Sequence, residues 1–419
     1  MVAGARGTSA TWLRTIQSWA LVSFAAVYPL GKAPGEITLG IALLAWVART
    51  LLGQRRPVIP RNPLNYVLLA WLALAVCSMQ NSVDLWASLK GLQKLFKAFG
   101  LYLVVLDTAD SPRALRRVLV GVLVGLAVVV GDGLWQAVAG RDLIYGKPPA
   151  WTIGSVERVI ATFDHPASLS IHLVSFCPVL LALGLRGERR WRWPILGVVG
   201  LTSVVMVLAR TRGGFLAFLL ALILLSYWLR HWGPVALAAA TIGLQAATMP
   251  PTVKAWAASM PSLWDQLTQP DRPIIWQTAL NMVKAHPFIG VGVNTFVKAY
   301  PSYLAPGDPF GNTGIGPYAH NQYLHLAAEL GWPGLALLGV LLVLIVLVVR
   351  RTLAARREHP MEAAMSAGLA AGLVGYLVIG LFESSLFYSR GGGTFWFVVG
   401  LIVATEALRR TVGVSRPAA

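Results

Sequence analysis

Runs of apolar residues long enough to cross a bilayer, roughly 17–25 residues, recur from one end of this 419-residue chain to the other. They lie near 12–30, 34–52, 63–80, 90–106, 115–138, 167–185, 193–209, 214–230, 232–250, 332–349, 364–388 and 392–408. A water-soluble globule cannot absorb this pattern. About a quarter of its residues would be charged, whereas here 12% are charged and 56% are hydrophobic. That hydrophobicity also excludes intrinsic disorder. The pattern predicts an all-α polytopic membrane protein with about twelve transmembrane helices.

The formal net charge of +18 comes from 35 Lys+Arg against 17 Asp+Glu, and it divides along the same pattern. With the N-terminus in the cytoplasm, the inside loops hold Arg49, Arg55, Arg56 and Arg61, then Arg113, Arg116 and Arg117, then Arg186, Arg189, Arg190 and Arg192. Further on they hold Arg230, then Arg350, Arg351, Arg356 and Arg357, then Arg409, Arg410 and Arg416. These obey the positive-inside rule, and an even span count makes both termini cytoplasmic. The clusters are short and scattered between apolar runs, which excludes nucleic acid as a partner. The first run contains Arg14 and no small-residue cleavage site follows it, so it reads as an uncleaved span. Cys77 and Cys177 both lie inside apolar runs and read as packing residues, with neither disulfide nor metal spacing.

Three regions follow. Residues 1–250 carry nine spans, with short loops and one longer outer segment near 139–166. Residues 251–331 form a long outer loop rich in Pro, Trp and Tyr, with short helices of its own. Residues 332–419 carry three more spans and a short tail. A loop as long as the second region usually carries function. There is no internal repeat of the kind secondary transporters show.

The informative basic residues are those on the outer side, which topology does not explain. Arg272 precedes Pro273, a residue favoured at a helix start, and the stretch 273–285 places Trp276, Leu280 and Val283 on one face. Arg272 is then at the helix N-cap. There it is either a phosphate-binding cation at a helix N-terminus or a solvated partner of Asp271. Arg210 and Arg212 close a span on the outer side in Arg210-Thr211-Arg212-Gly213-Gly214, and Arg158 precedes another span. Each either grips an anion or snorkels to lipid phosphate. Glu383, near the outer end of the eleventh run, is an intramembrane acid. It is a site candidate by default or a structural partner of an arginine. His320 shares a helical face with Leu324 and Ala327, so it is either a satisfied core histidine or a base in a partly dry site. His286 reads as a helix-end residue, followed by a tight, backbone-exposed turn at Gly290 and Gly292. Lys90, Lys94 and Lys97 read as a lipid-facing row at the interface.

Together these pieces resemble the O-antigen ligase/polymerase superfamily of bacterial inner membranes. The carriers are Arg272-x3-Trp276, His286-Pro287-x2-Gly290-x-Gly292-x3-Phe296, and His320-Asn321-x2-Leu324 followed by Gly331-x2-Gly334. Thr211-Arg212-Gly213-Gly214 is similar to the family's Ser-Arg-Gly element, and Arg158-x3-Thr162-Phe163-x2-Pro166 to its arginine motif before a span. Thr211 stands where Ser is common and Arg210 is additional, so Arg210 and Arg212 remain alternatives. The resemblance implies a glycosyltransferase of the GT-C-like type that uses lipid-linked sugars, with no metal and no cofactor. It implies a polysaccharide on undecaprenyl diphosphate as donor, lipid A–core oligosaccharide as acceptor, and a periplasmic active site. His320 would be the general base. Arg272 and Arg212, or Arg210, would hold the diphosphate, Arg158 would be a third contact, and Asn321, Trp276 and Glu383 would line the substrate site. An O-antigen polymerase, a protein O-oligosaccharyltransferase and a lipid-linked-sugar transporter are the alternatives.

Overall fold

The computed structural model describes residues 2–52, 62–153, 156–259, 271–310, 316–387 and 389–414. Arg55, Arg56, Arg61 and Arg416, assigned above to inside loops, lie outside the described residues. The elements in chain order are α1 Val2–Val27, α2 Lys32–Leu51, α3 Pro63–Ser78, α4 Leu85–Thr108, α5 Pro112–Ala139, β1 Ala150–Ile153, β2 Val156–Arg158, α6 Pro166–Arg186, α7 Arg189–Ala209, α8 Arg212–Leu229 and α9 Gly233–Thr248. They continue with α10 Pro251–Ala258, α11 Arg272–Ala285, α12 Phe296–Ala299, α13 Gln322–Ala354, α14 Pro360–Ile379 and α15 Ser389–Val414.

Among the described residues, eight segments are long and apolar enough to cross a membrane: Pro63–Asn81, Pro112–Ala139, Pro166–Arg186, Arg189–Ala209, Arg212–Leu229, Gln322–Ala354, Pro360–Ile379 and Arg390–Thr411. The protein is a helical, polytopic membrane protein. Helices α1, α2, α4 and α9 also stand where apolar runs were read; α9 is apolar but shorter. The segment near 139–166 adds an antiparallel pair of strands, β1 and β2, which apolar run length does not reveal.

Local chemistry sets the helix starts. Asn62 accepts the Leu64 N–H, Asp84 the Ala87 N–H and Ser111 the Ala114 N–H, so the first turns of α3, α4 and α5 are capped. Proline opens α3, α5, α6, α9, α11 and α14, where its missing N–H costs no hydrogen bond. Two ends differ from the run-length reading. α13 begins before the apolar run, at Gln322, and passes a break at Gly331 (φ 68°, ψ −175°) before crossing. α14 stops at Ile379, so Glu383 lies in the connection between α14 and α15 and not inside a helix.

The centre of the bundle is α6 packed on α14, with α8 beside both. Gly368 and Gly372 make this approach possible, because a Cβ at either would collide with the α6 backbone at Val179 or Ser175. α8 and α13 both start at one end of the bundle and cross to the other. The described residues of the connections 140–165, 209–212, 286–321 and 380–388 therefore gather at one end, and the turns after α4, α6, α8 and α13 at the opposite end. There, Arg49 does more than mark topology. It is buried, and its guanidinium donates to Asp107 at 2.6 Å and to Gln17 at 2.5 Å.

Candidate functional site

The site assembles around one carboxylate. Glu383 Oε2 lies 3.3 Å from His320 Nδ1, and Glu383 Oε1 lies 3.6 Å from an Arg272 terminal nitrogen. The other Arg272 terminal nitrogen donates to the Phe382 carbonyl at 2.6 Å. The Arg272 and Glu383 side chains are only 8% and 10% exposed, whereas His320 is 28% exposed. The histidine is thus the member open to a reactant. Among the described residues, the buried Arg272 Nε has no hydrogen-bond partner. Burial alone would raise the Glu383 carboxyl, but His320, Arg272 and His165 beside it hold it below the usual carboxylate range.

Two sequence placements need correction. His320 is not on the helical face shared with Leu324 and Ala327. It precedes the helix, with φ +46°, and Asn321 is the cap. An imidazole held in left-handed backbone just ahead of a helix is aimed by that turn, not by the helical period. Asp271, not Arg272, is the N-cap of α11; Arg272 is its first helical residue and turns to Glu383. The solvated Asp271–Arg272 alternative does not survive this burial.

The neighbours explain how His320 is held. Trp276 Nε1 on α11 donates to the Ala319 carbonyl at 3.0 Å, fixing the chain just before His320. Asn321 Oδ1 accepts the Tyr323 and Leu324 N–H groups, both at 3.0 Å. The Gln322 N–H donates to the Gly380 carbonyl at 2.8 Å, and Tyr323 Oη donates to Leu377 O at 2.7 Å, so the start of α13 docks on the end of α14. The glycines of the 286–292 segment also pack closely and do not leave a backbone exposed. The Val291 N–H donates to Ala328 O, and the Trp332 N–H to Pro287 O. Gly290 has φ +68°, and a Cβ there would collide with the Glu329 carbonyl. His286 ends α11 between Asn81 and the Tyr303 hydroxyl, at 3.1 and 2.8 Å.

Two more arginines reach this cluster. Arg158 Nε donates to Ala209 O at 3.2 Å. Its pKa is pushed down to about 10, first by burial and then by Arg212, against the pull of Glu383; it stays a cation at neutral pH. Arg212 opens α8 beside the Phe382–Glu383 segment. Gly213 allows this approach, since a Cβ there would stand 2.8 Å from the Phe382 ring. Thr211 Oγ1 lies 2.5 Å from Ser170 Oγ. Arg210 is different. It is the left-handed cap of α7, with φ +47°, and one of its terminal nitrogens is buried without a partner. Burial alone lowers its pKa, with no contribution from the cluster charges. Of the two alternatives, Arg212 is the one coupled to the other site residues.

Residues 197–339 match the family model described as O-antigen ligase. This third of the chain is similar to the O-antigen ligase family. No curated protein matches the chain. The matched region contains Arg210, Arg212, Arg272, Trp276, His320 and Asn321, while Arg158 and Glu383 reach the same cluster from outside it. Among the described residues, no group of three or more His, Cys, Asp or Glu stands close enough to hold a metal ion.

Three features of the structure were not read from the sequence. His165 caps α6, taking the Ala167 N–H at 3.1 Å on Nδ1. Its pKa is lowered, chiefly by burial and also by Arg158, His320 and Arg272, against the opposing pull of Glu383. Its His-Pro position ahead of a span was the available signal. Second, Glu329 is buried and accepts the Asn294 and Phe296 N–H groups at 2.7 and 3.0 Å. His325 bridges from it, at 3.3 Å, to Ser384 Oγ at 3.1 Å, next to Glu383. Third, the lysine row of α4 faces protein at two positions. Lys94 Nζ donates to Asn294 Oδ1 at 2.8 Å and Lys97 pairs with Glu36 at 2.6 Å, so the lipid-facing reading fails for both.

Proposed function

We propose that the protein is an O-antigen ligase of the bacterial inner membrane, with twelve crossings, both termini cytoplasmic and the His320 end facing the periplasm. The fold is of the GT-C-like type. The donor is a polysaccharide on undecaprenyl diphosphate, and the acceptor is a sugar hydroxyl of lipid A–core oligosaccharide. The observation that carries the reading is the shared carboxylate. One buried glutamate joins an imidazole open to reactants and a guanidinium suited to phosphate.

The chemistry follows from that arrangement. With Nδ1 turned to Glu383, the His320 proton sits on Nδ1 and the Nε2 lone pair is left for the reactant. Nε2 takes the acceptor hydroxyl proton as the oxygen attacks the anomeric carbon. The bond from that carbon to the diphosphate oxygen breaks, the electron pair leaves with the diphosphate, and the configuration inverts. Arg272 and Arg212 meet the developing charge and Arg158 adds a third cation, the fixed positive charge a diphosphate leaving group needs without a metal ion. Glu383 balances the imidazolium that forms. Asn321 and Trp276 position His320 through the backbone on either side of it.

The test is purified protein with lipid-linked glycan and lipid A–core. Covalent transfer to lipid A–core with inversion is expected, and chelator should not reduce it. Transfer only onto a second lipid-linked glycan would make the protein a polymerase, transfer only onto a protein acceptor an oligosaccharyltransferase. Movement of the donor across the membrane without transfer would make it a transporter.

A further inference from the structure

The end of the bundle opposite the candidate active site carries a second cationic feature. α8 runs from Arg212 at the site to Leu229, a rise of about 27 Å for a helix of that length. α13 crosses in the same sense. Between their far ends lies a cavity of about 730 Å³. Arg230, Arg350, Arg356, His231, Trp228 and Trp232 line it, and no acidic residue among the described residues does. Among the described residues, no ion pair engages any of the three arginines.

The wall is fixed by its own hydrogen bonds. Arg230 is held at φ +51° as the cap of α8, an uncommon conformation for a side-chain-bearing residue. Arg186 reaches across from α6 and donates to Leu229 O at 2.9 Å. Ser226 Oγ donates to His231 O at 2.6 Å. His231 Nδ1 accepts the Gly233 N–H at 3.0 Å, so its hydrogen is on Nε2 and available to an acceptor. Trp232 is 76% exposed at the rim, where a ring with one polar edge suits headgroup level. The exposed Ile223 and Val235 continue the surface toward the apolar part of the membrane.

Positive-inside topology requires charge in these loops, but not a concave, acid-free cavity with an aromatic rim. We propose that this cavity binds an anionic phospholipid, with the phosphodiester held by Arg230, Arg350 and Arg356 and the acyl chains lying along α8 and α9. Guanidinium forks match phosphate oxygens, and basic pockets between helices at a membrane boundary suit such headgroups.

The test uses the full chain in vesicles of phosphatidylcholine, with or without phosphatidylglycerol. Hydrogen exchange is followed in segments 226–236 and 350–357. Protection in both segments that appears only with phosphatidylglycerol supports the proposal; equal exchange in the two membranes overturns it. Equal protection by inorganic phosphate in phosphatidylcholine would overturn the lipid assignment. Lipid retention in mass spectrometry of the intact protein gives the second measurement. The Arg230→Gln/Arg350→Gln/Arg356→Gln variant should retain phosphatidylglycerol about 100-fold more weakly, from a contribution of about a factor of five per arginine near an anionic surface. Arg350→Gln alone should show about a fivefold loss. Retention unchanged in these variants overturns the site. So does an equal loss on substituting Arg113, Arg116 and Arg117 at the same end, which would reduce the effect to general charge. Glycosyl transfer is not the readout, so failure here is separate from failure of the proposed activity.

Discussion

Glu383→Gln keeps the shape of the side chain and removes its charge. The effect is predictable in size because both partners are buried: the Arg272 and Glu383 side chains are 8% and 10% exposed, so the small values of surface ion pairs do not apply. Breaking a buried pair from one side costs about 3–5 kcal/mol, most of it from the cation left behind. Arg272 keeps the Phe382 carbonyl at 2.6 Å, which favours the lower figure, about 3 kcal/mol. Arg272→Gln/Glu383→Gln removes both charges and should be more stable than the two single losses added together, by a coupling of about 1–3 kcal/mol. Transfer by Glu383→Gln should fall about 100-fold, the low end for disabling general-base chemistry, since His320 loses the group 3.3 Å from its Nδ1. The assay is a double-mutant cycle of unfolding in mixed micelles, run beside glycosyl transfer. If Glu383→Gln matches wild type in both, or the two substitutions simply add, the shared carboxylate does not organise this site.

Other consequences are narrower. Arg272→Lys should cost most of the transfer rate, because an ammonium cannot hold the Phe382 carbonyl, Glu383 and a phosphate with one planar fork; near-normal transfer would remove the phosphate role. Gly290→Ala should destabilise the chain by more than about 2 kcal/mol, combining a left-handed conformation with a collision at Glu329, seen as a lower unfolding midpoint. Acid should destabilise the protein in two stages. The lowered pKa of His165 means the unfolded chain takes its proton first, so stability starts to fall as pH drops below about 6.5. The depressed carboxyl of Glu383 stabilises above about pH 4.3, and that contribution is lost as pH falls through its lower folded value. His165→Asn, which can still cap α6, should make the fall below about pH 6.5 shallower in a pH series of unfolding midpoints and leave the lower stage unchanged.

Features encoded by short-range pattern were readable before the structure. Apolar run length located the long helices, and Pro273 marked the start of α11 to within a residue. Arg272, Arg212, Arg158 and His320 stood out because burying or exposing such groups on the outer side needs a reason. Long-range facts were hidden. That Glu383 joins Arg272 and His320 depends on α14 ending at Ile379 and on the chain turning back over α8. That His320 lies off the helix depends on one left-handed residue, which a periodicity count cannot see. The lysines of α4 looked lipid-facing because their partners Asn294 and Glu36 are far away in sequence.

The most direct test of the central claim is His320→Ala with lipid-linked glycan and lipid A–core. His320 is more exposed than Arg272 and Glu383, and the cations Arg158, Arg212 and Arg272 remain in the variant. Donor binding should stay close to wild type while transfer falls by about 10²–10⁴-fold, the range for a general base. Transfer at near wild-type rate would contradict that role.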